Sequence, residues 1–324
     1  MIDQFRSVAR RTAAVAALLA CAAMVTACGD SHHGSSPVLC GSSAAPPATY
    51  SHVLWIWMEN HSFGDIIGSS DAPYINQLAS SCGSATNFHN ITHVSLPNYI
   101  GAVTGLGLND LQPFIFDCSP GGPCLTAADS VFAQASSWKA YEESMTTNCQ
   151  QTGLVGYAVR HNPPAYLTSL SGCDTFDVPY PELQVDLDND TLPAFSFVTP
   201  DTVNDMHDGQ GAAAIQTGDA WLQAELPKIL SSKAYQNGRM AIFLTFDEGA
   251  DTELSFGEDC AANPTDESCH IPTIVISPYT PVGTTSDALF THYSLLRTTE
   301  EMLGIGQFLG SAADAASMRA AFRL

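Results

Sequence analysis

The chain has 324 residues, of which 45% are hydrophobic and 14% are charged, and its 33 acidic residues against 11 basic ones give a formal net charge of −22. This hydrophobic share is typical of globular proteins and argues against a disordered chain. The excess of acid disfavours a nucleic-acid-binding protein, because binding to a phosphate backbone depends on clustered Lys and Arg. The length allows one large domain or two small ones.

Residues 1–27 have the pattern of an export signal. Three arginines precede an apolar run at 13–27, which is shorter than the roughly 20 residues that cross a bilayer comfortably. The sequence Val-Thr-Ala-Cys at 25–28 resembles a bacterial lipobox, which makes Cys28 the acylated first residue of the mature protein. The alternative is ordinary cleavage nearby that leaves Cys28 unmodified. We therefore expect an exported protein, periplasmic, extracellular or held at the cell envelope by a lipid anchor.

The rest of the chain divides into a tether and one domain. Residues 28–48 are rich in Ser, Gly, Ala and Pro and predict a flexible tether, and residues 49–324 are predicted to form a single domain. Eight cysteines follow Cys28, and an even count in an exported chain predicts disulfides. Short spacing favours Cys118–Cys124 and Cys260–Cys269, and to a lesser degree Cys149–Cys173.

Apolar runs alternate with helical patterns along the predicted domain. The predicted strands are 52–58, 85–91, 192–198, 240–246 and 271–277, and the predicted helices are 73–80, 95–103, 127–136, 212–231 and 292–303. Strands that read as continuous apolar runs are typical of parallel sheets covered on both faces. The sequence therefore predicts an α/β fold, a doubly wound and mostly parallel sheet with helices on both faces.

Three predicted strands end in residues that ligate metal ions. Glu59 and Asn60 follow the first, an acidic loop from Asp201 follows the third, and Asp247 and Glu248 follow the fourth. Open α/β sheets bind ligands at the carboxyl ends of their strands, and converging carboxylates repel unless a cation lies between them. We therefore predict a divalent metal site; solvated loop acids are the alternative. Oxygen ligands favour Mg, Ca or Mn.

Six segments, in chain order, resemble the phosphoesterase family. That family holds bacterial and fungal acid phosphatases and phosphatidylcholine-type phospholipases C, and it has an alkaline-phosphatase-like core. The segments are MENHSF at 58–63, HVSLPNY at 93–99, RHNP at 160–163, PDTVNDMHD at 200–208, TFDE at 245–248 and HYSLLRT at 292–298. Together they cover most of the predicted domain.

The resemblance implies a role for each matching residue. It makes Ser95 the nucleophile and gives substrate contacts to Asn98, His161 and His207, with the two histidines binding phosphoryl oxygens when protonated or protonating the leaving alcohol. The implied ligands of the metal ion are Glu59, Asn60, Ser95, Asp247 and Glu248. A possible second ion on Asp201, His207 and His292 would tolerate Zn or Fe.

These residue types fit phosphoryl transfer. A serine hydroxyl needs activation by a base or a metal, and a helix that starts at Ser95 would direct N–H groups at a phosphate. We expect a metal-dependent phosphoric ester hydrolase, an acid phosphatase that acts on phosphomonoesters through a phosphoserine. The alternatives are a phospholipase C or phosphodiesterase of the same family, and a non-catalytic surface binding lipoprotein. The expected partner is a phosphate-ester small molecule or a phospholipid head group.

Overall fold

The site-bearing part of the molecule is a sheet whose strands are buried on both faces. The computed structural model describes residues 39–209, 211–250 and 256–324, so the predicted export signal and Cys28 lie outside the described residues. The strands are β1 (His52–Met58), β2 (Gly83–Ala85), β3 (Phe88–His89), β4 (Trp138–Glu142), β5 (Asp177–Pro179), β6 (Phe195–Thr199), β7 (Met240–Phe246), β8 (Thr273–Ile276), β9 (Thr284–Ser286) and β10 (Phe290–Thr291).

Eleven α-helices connect and cover these strands in the described part of the chain. They are α1 (Phe63–Ile66), α2 (Pro73–Ser81), α3 (Ser95–Thr104), α4 (Leu108–Leu111), α5 (Val131–Gln134), α6 (Cys173–Phe176), α7 (Pro181–Asn189), α8 (Gly211–Ser231), α9 (Lys233–Gln236), α10 (His292–Met302) and α11 (Arg319–Phe322). None of the helices in the described ranges is long and apolar enough to cross a membrane.

Eight strands form the central sheet, in the order β5-β4-β6-β1-β7-β8-β2-β9, and β3 and β10 form a separate parallel pair. Every pairing in the central sheet is parallel except those of β8 with β7 and β2. The predicted α/β fold with a mostly parallel sheet is therefore confirmed. Because β6, β1 and β7 are parallel neighbours, their carboxyl ends meet at one edge of the sheet.

Helices cover the sheet in two packed pairs, α3 with α10 and α2 with α8. The β1 tryptophans face the first pair: the Trp55 indole N–H donates to Thr299 Oγ1 at 2.9 Å, and the Trp57 ring lies 4.7 Å from that of His292. In the second pair, the Asp219 carboxylate accepts the first N–H groups of α2, which have no partner within their own helix.

Two predicted elements differ from the structure, and one observed strand was not predicted. The predicted strand 85–91 is two short strands, because the chain leaves the central sheet after β2 and pairs with β10 through β3. The predicted helix 127–136 shrinks to the single turn of α5, capped by Ser130. Strand β4 was not predicted, because its sequence WKAYE carries charges at two of five positions.

The last ten residues of the predicted flexible tether, 39–48, are attached to the domain. Cys40 forms a disulfide with Cys82, and the Ser43 N–H donates to the Pro278 carbonyl at 2.9 Å. A covalent link and backbone hydrogen bonds hold residues 39–48 against the domain, which composition alone does not reveal. The predicted pairs Cys118–Cys124, Cys149–Cys173 and Cys260–Cys269 are present as well.

Candidate active site

Ser95 lies over the carboxyl end of β1. The Ser95 hydroxyl donates to Glu59 Oε2 at 3.1 Å, and the Tyr99 hydroxyl donates to Glu59 Oε1 at 2.5 Å. Ser95 and Tyr99 are four residues apart on α3 and therefore share one helix face. Pro97 in the first turn has no N–H, which the start of a helix tolerates. The first turn of α3 thus presents a serine hydroxyl and a phenol to one fully buried carboxyl group.

Asp247 joins this group from the neighbouring strand. Met58 pairs with Phe246 in the β1–β7 register, so the residues that follow them, Glu59 and Asp247, leave the sheet at the same level. Asp247 Oδ1 accepts the Asn60 N–H at 3.1 Å, and Asn60 has the positive φ of 54° that asparagine tolerates. Within the described part of the chain, the buried Asp247 Oδ2 has no hydrogen-bond partner.

A third buried carboxylate, Asp205, was missed by the sequence analysis. His161 lies between two acids, with Nε2 3.2 Å from Glu59 Oε1 and Nδ1 3.3 Å from Asp205 Oδ2. The His161 ring also stacks on Tyr99. Asp205 is one of three aspartates in the segment 200–208 that carries the family resemblance. It alone of the three is buried, and its burial is visible only in the structure.

Burial raises the pKa values of these three acids, and repulsion by neighbouring acids adds to the effect for Glu59 and Asp205. The pKa of Glu59 lies well above its usual range because of burial first and the charges of Asp247 and Asp205 second. Burial also raises the pKa of Asp205 well above normal, and it raises that of Asp247 to about 6. Buried acids in this position stay ionised only with a cation among them. Three buried carboxylates, one with an oxygen that has no partner among the described residues, fit a divalent cation.

The charged mouth of the site contains a residue that the sequence analysis left unassigned, Arg160. Its Nη2 donates to His207 Nε2 at 2.7 Å, and its Nε lies 3.6 Å from Asp117 Oδ2. Asp117 Oδ1 in turn accepts the Leu96 N–H at the start of α3 at 2.9 Å. One ligand atom each of Glu59, His161 and His207 lie within 4.8 Å of one another. The signal for Arg160 was its place directly before His161 in the matching segment.

The surroundings of His161 disfavour the charged form that the sequence analysis expected. Burial, and then the neighbouring positive charges of Arg160 and His207, lower the pKa of His161 well below its usual value. The prediction of a protonated His161 is therefore not supported, because its fully buried ring has no water to stabilise a charge. Arg160 and the half-buried His207 are the groups placed to meet an anion at the mouth.

Asn98 is engaged with backbone instead of the site opening. Its Oδ1 accepts the N–H groups of Ile91 and Thr92 at 2.8 and 3.1 Å, and its Nδ2 donates to the carbonyls of Thr92 and Val94 at 2.7 and 2.9 Å. These four bonds use the full capacity of two acceptor and two donor positions. We therefore correct the predicted substrate contact: Asn98 holds the loop that leads into Ser95.

Glu248 follows Asp247 but binds a histidine. Its Oε2 lies 2.7 Å from His93 Nδ1, and His93 Nε2 lies 3.0 Å from Ser268 Oγ. Its N–H also contributes to the hydrogen bonds of the Asp247 carboxylate. Of the five ligands implied by the resemblance, Ser95 bonds Glu59, and Asp247 bonds the Asn60 N–H. The charge of Asp247 acts on Glu59, whereas the Glu248 carboxylate contacts His93.

The residues of the possible second ion are not brought together. Asp201 accepts the hydroxyl of Ser144 and two N–H groups of its own turn. His292 is buried against Trp57, and its Nε2 lies 2.7 Å from the Asp247 carbonyl oxygen. Among the described residues, Asp201, His207 and His292 do not form a cluster of ligand atoms. Each of the three contacts a different neighbour, and the second site stays a prediction.

The described residues form an α/β fold that is similar to a solved structure from the alkaline phosphatase superfamily. A Vibrio parahaemolyticus protein of that superfamily aligns with a TM-score of 0.54 at 13% identity, covering 88% of this chain and 74% of that one. A lipoteichoic acid synthase of Listeria monocytogenes aligns with a TM-score of 0.56 at 11% identity, covering 83% and 77%. At these identities the likeness concerns the fold.

The chain belongs to the phosphoesterase family, whose model matches residues 69–306, and it is a hydrolase of phosphoric esters. A phosphatidylinositol-3-phosphatase of Mycobacterium tuberculosis is 27% identical over 82% of this chain and 81% of its own length. An acid phosphatase of Aspergillus fumigatus is 26% identical over 79% of this chain, which spans 55% of that protein. The predicted family is therefore confirmed.

Proposed function

We propose that the protein is an exported, metal-dependent acid phosphatase that hydrolyses phosphomonoesters through a phosphoserine at Ser95. The observation that carries this proposal is the hydrogen bond from the Ser95 hydroxyl to the buried Glu59 carboxylate. A mere binding protein has no need of a serine hydroxyl held against a buried base at a helix start. The names of the relatives, phosphatidylinositol-3-phosphatase and acid phosphatase, favour monoesters over diesters.

The proposed metal ligands are Glu59, Asn60, Ser95, Asp247 and Glu248, with Asp205 as an additional buried carboxylate beside them. When bound, a divalent cation such as Mg, Ca or Mn would neutralise phosphoryl oxygens and lower the pKa of the attacking hydroxyl. The unpartnered Asp247 Oδ2 and the repulsion among the acids support this assignment.

The chain's own residues account for the proton transfers. Glu59 takes the Ser95 proton as the Ser95 oxygen bonds to phosphorus, and the bond from phosphorus to the leaving oxygen breaks. His207, next to Arg160, gives a proton to the leaving alcohol. Water then attacks the phosphoserine and returns a proton to His207, while Glu59 returns its proton to Ser95. Arg160 holds the phosphoryl oxygens during both steps.

A lipid on Cys28 is part of the same proposal. It would keep the enzyme at the cell envelope, where a small phosphomonoester or the head group of a phospholipid is the substrate. The disulfides support an oxidising compartment.

A substrate panel tests the proposal. The purified protein is assayed on p-nitrophenyl phosphate, p-nitrophenyl phosphorylcholine and phosphatidylcholine, with and without a chelator, between about pH 4 and pH 8. We expect hydrolysis of the monoester that the chelator abolishes and Mg, Ca or Mn restores. Turnover of the diesters alone would support the phospholipase C alternative, and no turnover with any metal would support the binding protein.

The Ser95→Ala variant tests the covalent step. We expect it to lose turnover by about 1,000-fold or more, with the circular dichroism and melting temperature of the parent retained. The matched control is Ser80→Ala, which removes an exposed hydroxyl on α2 that bonds only its own helix. A Ser95→Ala enzyme as active as the control would remove the phosphoserine from the mechanism.

A further inference from the structure

Two exposed aromatic rings flank the nucleophile. Phe116 and Phe256 are 74% and 46% exposed, and their ring centroids lie 5.8 Å apart. Phe116 precedes Asp117, which accepts an N–H of the first turn of α3, and Phe256 pairs with His93, two residues before Ser95. Large exposed apolar side chains at one place mark a binding surface more often than chance.

A second apolar pair lines the adjacent cavity. This cavity has a volume of about 510 Å³, and its walls include Arg160 and His207 as well as Leu154 and Val155. Leu154 is 49% exposed and Val155 is fully exposed. The groups proposed to bind the phosphate therefore share a cavity with apolar side chains that contribute little to the core.

Three disulfides hold the loops that carry these side chains. Cys118–Cys124 begins two residues after Phe116, Cys149–Cys173 encloses Leu154 and Val155, and Cys260–Cys269 begins four residues after Phe256. A rigid exposed apolar group costs less entropy to immobilise on a ligand than a mobile one. We call Phe116, Leu154, Val155 and Phe256 the apolar rim.

We propose that the apolar rim binds the leaving group, so that the preferred substrates are phosphomonoesters of alcohols with an apolar chain or ring. The inference rests on the proposed function. Because the leaving oxygen departs in line and away from the attacking one, and Ser95 is buried, the leaving group points outward to the rim. The chain has a net charge of −22, so its overall charge does not attract an anionic ester. Apolar contact with the rim supplies binding energy instead.

Two alkyl esters with the same reacting group test the proposal. Octyl phosphate and ethyl phosphate differ in chain length, and partial burial of six methylenes predicts a kcat/KM for octyl phosphate that is higher by roughly tenfold or more. The double variant Phe116→Ser/Phe256→Ser should bring this ratio close to one. Val282→Ser is the control, because Val282 is 68% exposed and follows β8, whose antiparallel direction places it at the opposite edge of the sheet.

A binding measurement separates failure of the rim from failure of the proposed function. Octylphosphonate and ethylphosphonate, which cannot be hydrolysed, are titrated calorimetrically into Ser95→Ala and into Ser95→Ala with both phenylalanines changed. Tighter binding of octylphosphonate that is lost with the two phenylalanines would support the rim. If neither ester is hydrolysed as well, the result would contradict the proposed function. Turnover of both esters with equal kcat/KM and equal phosphonate binding would overturn the rim and leave the phosphatase intact.

Discussion

Glu59, Asp205 and Asp247 are carboxyl groups that water does not reach, and their environment decides what they can do. An aspartate in an unfolded chain has a pKa near 3.9, whereas burial raises that of Asp247 to about 6 in the fold. The metal-free folded state therefore holds protons that the unfolded state has released. Its stability falls as the pH rises from about 4 through about 6.

We predict from this sign that the stabilisation by a divalent cation increases with pH. The cation replaces protons that the buried acids hold at low pH, so it competes with them at about pH 5 and not at about pH 7.5. The measurement is the melting temperature of the chelated protein with and without Mn²⁺ at both pH values. Glu59→Gln should lose most of the increment at the higher pH, and an equal increment at both pH values would contradict the argument.

Another buried acid, Glu300 on α10, lies outside the metal site. Its Oε1 accepts the Leu309 N–H at 2.8 Å, and its Oε2 has no partner among the described residues. Burial raises the pKa of Glu300 to about 7. The folded state keeps a proton on Glu300 that the unfolded chain releases near pH 4.3. The free energy of unfolding therefore falls as the pH rises from about 4.3 to about 7. We predict that Glu300→Gln stabilises the protein at about pH 8.5, by up to about 3 kcal/mol, with much less gain at about pH 5.

The control for this prediction is the next residue. Glu301 is half-buried and pairs with Arg297 at 2.7 Å, so Glu301→Gln should give no gain at the higher pH. Urea unfolding of both variants at the two pH values measures the difference. A Glu300→Gln gain that does not depend on pH would show that ionisation is not its cause.

At the scale of elements, α3 connects the nucleophile to the C-terminal part of the chain. The helix ends at Gly105, which has a φ of 71°, and a Cβ there would lie 2.3 Å from the Leu309 carbonyl oxygen. Only glycine fits both the left-handed conformation and this close approach. The predicted helix 95–103 has the observed start at Ser95 and ends one residue before Thr104.

We predict that Gly105→Ala destabilises the protein by about 2–4 kcal/mol, since the left-handed conformation and the clash both add to the cost. Gly64→Ala in α1 is the matched control, because a Cβ there meets nothing within 4 Å, and we expect a change within about 1 kcal/mol. Urea unfolding measures both. Equal stability of the two variants would show that α3 does not depend on this contact.

The sequence pattern does not predict a strand whose charged residues are paired with residues from distant parts of the chain. Strand β4 contains Lys139 and Glu142, and it is stable inside the sheet because Asp186 of α7 pairs with the Lys139 ammonium at 2.5 Å. Glu142 is buried and accepts a hydrogen bond from Thr199 on the neighbouring strand β6. A pattern of apolar residues does not reveal compensation of this kind, because the partner groups lie more than forty positions away in the sequence.

At the scale of the whole molecule, the four described disulfides have separate tasks. Cys40–Cys82 closes a separation of 42 residues and holds residues 39–48 to the domain, whereas Cys118–Cys124 closes a separation of six beside Asp117. Loop-closure entropy grows with the length of the closed loop. The long bridge should therefore contribute more to stability, and the short one more to the geometry of the site.

We predict that Cys40→Ser/Cys82→Ser lowers stability by about 4 kcal/mol and Cys118→Ser/Cys124→Ser by about 2 kcal/mol. Loss of the short bridge should lower kcat/KM more than loss of the long one. The reason is that, of these two bridges, the short one lies next to Asp117, which contacts α3. Denaturant unfolding and kcat/KM on p-nitrophenyl phosphate measure the two orders. If the long-bridge variant loses more activity while still folded, the assignment of tasks is wrong.

Local patterns were enough to predict the class of fold, the start of α3 at Ser95 and the acids that follow β1 and β7, because apolar runs and a proline in a first helical turn are visible in the sequence. It did not separate Asp205 from the other aspartates of its loop, place Arg160 at the mouth, or show that Asn98 binds backbone. Tertiary structure decided those points, because burial, pKa and hydrogen-bond partners are set by residues that meet only when the sheet is assembled.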